Sequence, residues 1–295
     1  MNTNREKSIL VTGATGRTGG HVVRFLLERG LPVRALVHRP DARADRLAEM
    51  GVEVVTGDLL DLSAVGAATR GVRTAYFVYP IRAGLLEATA IFAQAAAENS
   101  VAAVINMSQI SARRDALSDA ARHHWLAERL LDNAPVPVTH LRPTFFAEWL
   151  ILFGDYSGPE GVLRIPLGDG RHAPIAGVDQ GRVIASILAD PEPHAGKTYP
   201  LYGPVEMHHS EIAAATARAL GRPVRYEPID VDTFAEGLKA RGWSSHVIQH
   251  LSSVAIDYRN GIFAGTNDVV ETVTGKAPMG VEEFVTLNKE SFVGR

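Results

Sequence analysis

Short β-branched runs alternate with helix-like stretches through the first half of the chain, and this alternation constrains the fold more than any other feature. The runs Ser8–Thr12, Val33–His38, Val52–Thr56, Thr74–Tyr79, Ala103–Met107 and Val138–Leu141 read as strands. Between them Gly19–Glu28, Ala42–Met50, Leu62–Thr69, Gly84–Glu98 and Ala120–Leu131 read as helices. Strands separated by helices join through right-handed crossovers, which builds a parallel, doubly wound α/β sheet. Runs such as "AYFV" and "AAVIN" are apolar at successive positions, as strands covered by helices on both faces must be.

The pattern loosens after Arg142. The following stretch, to Gly177, mixes aromatics, glycines and prolines and reads as loops with short strands. Helices are then expected over Asp179–Leu188, Ser210–Leu220, Val231–Arg241 and Ser244–Tyr258, with strands at Thr198–Leu201 and Val224–Pro228. With 295 residues, 46% of them hydrophobic, the chain has the material for one or two domains. Residues 1–150 are expected to form the sheet domain, taking in parts of 175–200. Residues 151–295 are expected to form a smaller, interwoven α/β lobe.

Several partners are disfavoured at once. A net charge of -3 provides no basic field for nucleic acid. No apolar window approaches a membrane span, and the N-terminal apolar run is too short for a signal sequence. Cysteine is absent, which fits a reducing cytosol, so a cytoplasmic protein is the expectation. The histidines include the pairs His123–His124 and His208–His209, and with neither an H-x-x-x-H spacing nor an acidic cluster of ligand geometry read among them, no metal is expected.

The segment "VTGATGRTGG" supplies the first chemistry. Gly13, Gly16 and Gly19 follow the first strand directly and open the first helix. The first glycine permits a sharp turn, the second leaves room for a pyrophosphate against bare backbone, and the third allows close packing of helix on strand. The helix start then aims its N–H groups and positive dipole end at the anion. Thr12, Thr15, Thr18 and Arg17 add polar groups within the loop. A Rossmann-type dinucleotide site is the reading.

The second strand selects the dinucleotide. Sites for NAD place an acid at its end to hold the ribose 2′-hydroxyl. Here "ALVHRP" puts His38 and Arg39 there instead, and a guanidinium suits a 2′-phosphate, which points to NADP. The bland alternative is a solvated loop arginine before Pro40. Asp58, with the Leu59 backbone alongside, would meet the adenine amino group, or Asp58 would simply cap the helix from Leu62. Tyr79 and Pro80 would floor the nicotinamide ribose.

With "VTGATGRTGG", "VHRP", "GDLLD", "HHWLAERLL" and "THLRPTFFAEWL" in that order, the chain resembles the NmrA-like branch of the atypical short-chain dehydrogenases/reductases. The run "GKTYPLYGPVEMHHSEIAAATARALGRPVRYEPID" and the ending "TGKAPMGVEEFVTLNKESF" extend the resemblance over nearly the whole chain. That branch includes triphenylmethane-dye, azo-dye and quinone reductases as well as NADP-sensing regulators. Most of the wider superfamily activates a carbonyl with Tyr-x-x-x-Lys on one helix face. None of the seven tyrosines here has lysine four residues later. At the corresponding helix His124 takes the tyrosine's place and Glu128 the lysine's, an i,i+4 pair on one face whose carboxylate would raise the histidine pKa and fix its tautomer. Ser108 matches the substrate-binding serine, with Asn106 and Gln109 as weaker candidates. Pro143, Thr144 and Phe145 would line the nicotinamide side, and Phe145, Phe146, Trp149 and Phe153 an aromatic substrate wall.

Two functions follow from these expectations. One is an NADPH-dependent reductase passing hydride to a small, planar, electron-poor substrate such as a quinone, an azo or triarylmethane dye, an imine or an enone. The other is an NADP(H)-binding redox sensor with little or no turnover. A homodimer is common for such a fold.

Overall fold

The computed structural model describes residues 7–292. In chain order the elements are β1 (Ser8–Thr12), α1 (Arg17–Glu28), β2 (Val33–Val37), α2 (Ala42–Glu49), β3 (Glu53–Thr56), α3 (Leu62–Thr69), β4 (Val72–Phe77), α4 (Leu85–Glu98), β5 (Ala103–Met107), α5 (Asp119–Asp132) and β6 (Val138–Pro143). There follow α6 (Trp149–Phe153), β7 (Gly154–Asp155), β8 (Gly161–Ile165), β9 (Arg171–His172), α7 (Gly177–Ala189), β10 (Thr198–Leu201) and β11 (Met207–His208). The chain ends with α8 (His209–Leu220), β12 (Val224–Pro228), α9 (Val231–Ala240), α10 (Ser245–Arg259), α11 (Val269–Thr274) and α12 (Val281–Leu287). None of the helices among the described residues is long and apolar enough to cross a membrane.

The main sheet has seven strands in the order β10-β6-β5-β4-β1-β2-β3. Every pairing from β6 to β3 is parallel, so the α/β doubly wound class stands. The sequence pattern assigned six strands to this sheet; the seventh is β10, read as a strand but not as a member. A four-residue run shows its own extended pattern, not its neighbour.

Contacts divide the chain into two units that share it almost equally. The first comprises residues 1–108, 123–142 and 180–199; the second comprises 109–122, 143–179 and 200–295. In the first, Ile9, Leu10 and Val11 are fully buried, which is why β1 shows no polar alternation. Phe77 of β4 stacks on Phe92 of α4 with centroids 4.6 Å apart, and burying each ring stabilises the fold by about 1.5–3 kcal/mol. The C-terminus of α7 leaves carbonyls without helical partners. Arg29 takes that of Ala185, Arg73 those of Leu188 and Ala189, and Thr74 also bonds Leu188.

The second unit carries a small sheet in which β8 lies between β12 (parallel) and β7 (antiparallel), plus the antiparallel pair β9–β11. Its interior has two apolar clusters, one around Tyr156, Leu163 and Phe284, the other around Phe145, Leu251 and Tyr258. The stretch read as loops with short strands therefore also holds α6, whose five residues are too few to display a helical period.

Candidate functional site

The glycine loop is built as its spacing requires. Gly13 adopts φ +61°, and a Cβ there would come within 2.6 Å of Val78 Cγ1. Gly16 caps α1 with no side-chain hydrogen bond over the helix start, and both Gly13 and Gly16 are exposed. Gly19 is buried, and a Cβ on it would lie 2.2 Å from the Gly13 carbonyl oxygen. The third glycine thus lets the helix close onto the turn itself. Arg17 is exposed and Thr15 half-buried in the same loop.

Two threonine hydroxyls have structural duties instead. Thr12 Oγ1 accepts from Val78 N–H at 2.9 Å, clamping the end of β1 to the end of β4. Thr18 Oγ1 donates to Gln180 Oε1 at 3.4 Å, so what Thr18 offers an anion is backbone. The sequence placed both hydroxyls in the loop without seeing these long-range partners.

At the tips of β2 and β3 the polar groups converge. His38 Nδ1 lies 3.5 Å from Asp58 Oδ2, while Asp58 Oδ1 accepts from Leu60 N–H at 2.9 Å. The helix cap at this place is Asp61, which accepts from Ser63 and Ala64 N–H, so Asp58 does not cap α3. Leu59 is half-buried beside it. Arg39 is exposed, and its guanidinium has no partner among the described residues. An exposed cation at the tip of β2, where no acid stands, is the kind of group that suits a 2′-phosphate. Tyr79 is buried, its hydroxyl donating to Ala83 carbonyl and accepting from Arg82 Nε, each at 3.1 Å; Pro80 is exposed.

Ser108 follows β5, with its N–H on the Leu141 carbonyl. Its hydroxyl is buried and finds no partner among the described residues, the mark of a group kept for a ligand or of a small energetic cost. His124 and Glu128 are both buried on α5. Glu128 does not stand ready simply to tune His124: Arg142 of β6 binds it with two parallel hydrogen bonds, Nε to Oε1 at 2.8 Å and Nη2 to Oε2 at 2.5 Å. That partner is 14 residues away, outside any helical spacing. Asn106 is likewise committed, through His140 to Asp132 at 3.0 Å for each step. Gln109 accepts from Ser111, leaving its Nε2 buried and without a partner among the described residues.

Phe145, Phe146, Trp149 and Phe153 do come together, on one apolar pocket of the second unit. Phe145 meets Trp149 edge-on at 4.4 Å and Phe263 face-on at 4.6 Å; Trp149 meets Phe153 at 5.3 Å. Pro143 and Thr144 are buried, and neither lines the pocket. Sequence reasoning missed its other lining residues, among them His172, His209 and Phe234. The pair His208–His209 was visible in "EMHHSE", but nothing local marks which ring turns inward. His208 caps α8, its Nδ1 accepting from Ser210 N–H. Contrary to the sequence reading, one H-x-x-x-H spacing does occur, His246 and His250 on α10, but His250 Nδ1 is taken by Ser118 Oγ at 2.7 Å. No group of three ligating side chains occurs among the described residues.

Comparison with known proteins agrees with this architecture. The chain is 30% identical to the NAD(P)H azoreductase of Xenophilus azovorans over 286 residues, covering 96% of this chain and 99% of that one. It is 31% identical to (4-alkanoyl-5-oxo-2,5-dihydrofuran-3-yl)methyl phosphate reductase of Streptomyces griseus subsp. griseus over 287 residues, again 96% and 99%. The fold matches a crystal structure of an NADPH-dependent quinone oxidoreductase from Escherichia coli, complexed with NADPH, with TM-score 0.83 and 24% identity, over 95% of this chain and 99% of that chain. The model of the NmrA-like family matches residues 5–285, and the chain belongs to that family.

Proposed function

We propose that the chain is an NADPH-dependent reductase that passes hydride to a small, planar, electron-poor acceptor of the quinone, azo, triarylmethane, imine or enone type. The observation that carries this reading is an apolar pocket walled by Phe145, Phe146, Trp149 and Phe153 in a chain with no Tyr-x-x-x-Lys pair. Flat conjugated acceptors bind by apolar and ring contacts, and they take hydride without a strong acid because the electron pair delocalises. The two curated relatives reduce an azo compound and an oxo-dihydrofuran by their names, both conjugated and electron-poor.

Loop amides from Gly13 to Gly19 would hold the diphosphate, with Thr15, Arg17 and Thr18 around it. Arg39 and His38 would hold the 2′-phosphate, Asp58 and Leu59 the adenine, Tyr79 and Pro80 the nicotinamide ribose. NADPH bound there would supply the hydride. As hydride adds to one end of a quinone, azo, imine or enone system, the electron pair moves to the far heteroatom, which takes a proton; a triarylmethane cation is neutralised by the hydride alone. Ser108 and His124 are the side chains assigned to hydrogen-bond that heteroatom, with Glu128 acting behind them through its hold on Arg142. The same reading takes the cytoplasm as the setting and a homodimer as the assembly, open to fractionation and light scattering.

The test follows NADPH absorbance with a panel of quinones, azo and triarylmethane dyes, imines and enones. Oxidation above background with at least one class is expected. None with any class would shift the assignment to a redox sensor.

A further inference from the structure

Three polar side chains meet at the wall of the aromatic pocket. The Tyr258 hydroxyl lies 2.5 Å from His172 Nδ1 and 3.1 Å from His209 Nδ1. The two imidazoles stack with centroids 5.2 Å apart and 22° between their planes. Both rings are 3% exposed, and Tyr258 is fully buried. Both imidazoles line the pocket, and with each Nδ1 occupied, neither Nε2 has a hydrogen-bond partner among the described residues.

A phenol has one proton to give. Tyr258 therefore donates to one Nδ1 and accepts from the Nδ1–H of the other ring. This fixes opposite tautomers: one histidine keeps its proton on Nε2, and the other leaves Nε2 bare. Burial, reinforced by a neighbouring histidine in each case, keeps both rings neutral, His209 lowered to about 3 and His172 held well below the usual range. Polar atoms in an apolar wall are costly unless something satisfies them. The Nδ1–hydroxyl–Nδ1 bridge satisfies one half of the trio; the two Nε2 atoms remain.

We propose that His172 and His209, locked by Tyr258, form a neutral donor–acceptor anchor for an uncharged hydroxyl or carbonyl on a flat aromatic ligand. A hydroxyl would use both nitrogens, accepting from one and donating to the other; a carbonyl would use the donor. A sulfonate or carboxylate is rejected, because it brings a full charge into a pocket whose lining holds no lysine or arginine, the nearby Arg171 being already paired with Glu206 and Glu211. The inference rests on the reading of this pocket as the acceptor site and narrows the acceptor to uncharged planar molecules with an oxygen substituent.

Binding without NADPH tests the anchor apart from hydride transfer. Tryptophan quenching is titrated with 2-naphthol, naphthalene and naphthalene-2-sulfonate on the wild-type chain and on His209→Leu and His172→Leu. Wild type should bind 2-naphthol about tenfold tighter than naphthalene, roughly two net hydrogen bonds, and the sulfonate most weakly. Either substitution should cut the naphthol preference severalfold while leaving naphthalene unchanged. Equal affinity for naphthol and naphthalene in wild type, tighter binding of the sulfonate, or full preference in both variants would overturn the proposal. A silent NADPH assay with an intact naphthol preference would sink the reductase reading alone.

Discussion

Arg142 on β6 closes on Glu128 of α5 through two parallel hydrogen bonds, and the carboxylate it holds is fully buried. A charge without solvent is tolerable only when an opposite charge meets it with good geometry, and the planar guanidinium does so at both oxygens.

Removing one partner should therefore hurt more than removing both. Arg142→Met leaves the buried carboxylate with only the exposed Arg129, 3.7 Å away and already bonded to Asp132, a loss of about 3–5 kcal/mol. Glu128→Gln together with Arg142→Met should regain most of it. Denaturant titration of the single and double variants checks the order; equal losses would mean the pair does not act as a unit.

Arg39 should govern cofactor choice. Its guanidinium is free among the described residues, so Arg39→Ala costs the fold little. The loss of a charge-assisted bond to a 2′-phosphate should weaken NADPH binding by about 1.5–3 kcal/mol, on the order of 10- to 100-fold, and leave NADH unchanged. Titration of both cofactors against wild type and variant decides; equal wild-type affinities would remove the 2′-phosphate argument.

Adjacent glycines should respond oppositely to alanine. At Gly19 the new Cβ would lie 2.2 Å from a backbone oxygen, whereas at Gly20 its nearest neighbour, the Ala14 carbonyl oxygen, is 3.6 Å away. Gly19→Ala must move the loop, at a cost of about 1–3 kcal/mol and with weakened dinucleotide binding. Gly20→Ala, within α1, should stabilise by about 0.4–1 kcal/mol. Thermal melts of the two variants, with NADPH titrations, compare them directly.

What the sequence disclosed was whatever depends on neighbours along the chain. The glycine loop, β1 and β5, and Arg39 at the tip of β2 are local, and their patterns stand in a few consecutive residues. Asp61 rather than Asp58 caps α3 because capping is decided by an offset of three residues, within the error of a boundary drawn from pattern. Glu128 was legible as the residue at the superfamily lysine's place, on one helix face with His124, but its partner Arg142 sits on another element that helical spacing does not reveal. The bridge from His172 through Tyr258 to His209 spans 86 residues, so no local spacing announces it. Only the fold brings those rings to one wall.

Ser108 should trade stability against activity. Its buried hydroxyl lacks a partner among the described residues, so Ser108→Ala relieves a desolvated group and should raise or preserve the melting temperature. If the hydroxyl serves the acceptor, turnover should fall about tenfold with NADPH affinity unchanged, the equivalent of about 1.4 kcal/mol. A lower melting temperature with wild-type turnover would mean that Ser108 is structural.

Stability should fall with acid before the carboxylates titrate. In the second unit burial lowers His172 well below its ordinary range, His209 to about 3 and His250 to about 4. In the unfolded chain each titrates near 6.5. Between that value and about 4 the unfolded state takes up protons that the native state refuses, so the unfolded state gains as pH falls. The slope reaches about 1.4 kcal/mol per pH unit for each histidine. Above pH 7 the contribution is complete and the curve is flat. Asp41 and Glu211, whose values are lowered by hydrogen bonds, add their own losses only in stronger acid, so the upper window belongs to the histidines. Denaturant titrations at pH 7.5, 6 and 5 should show a steady loss, reduced in His250→Asn. Stability unchanged from pH 7.5 to 5 would mean these rings accept protons in the native state, against the burial that encloses them.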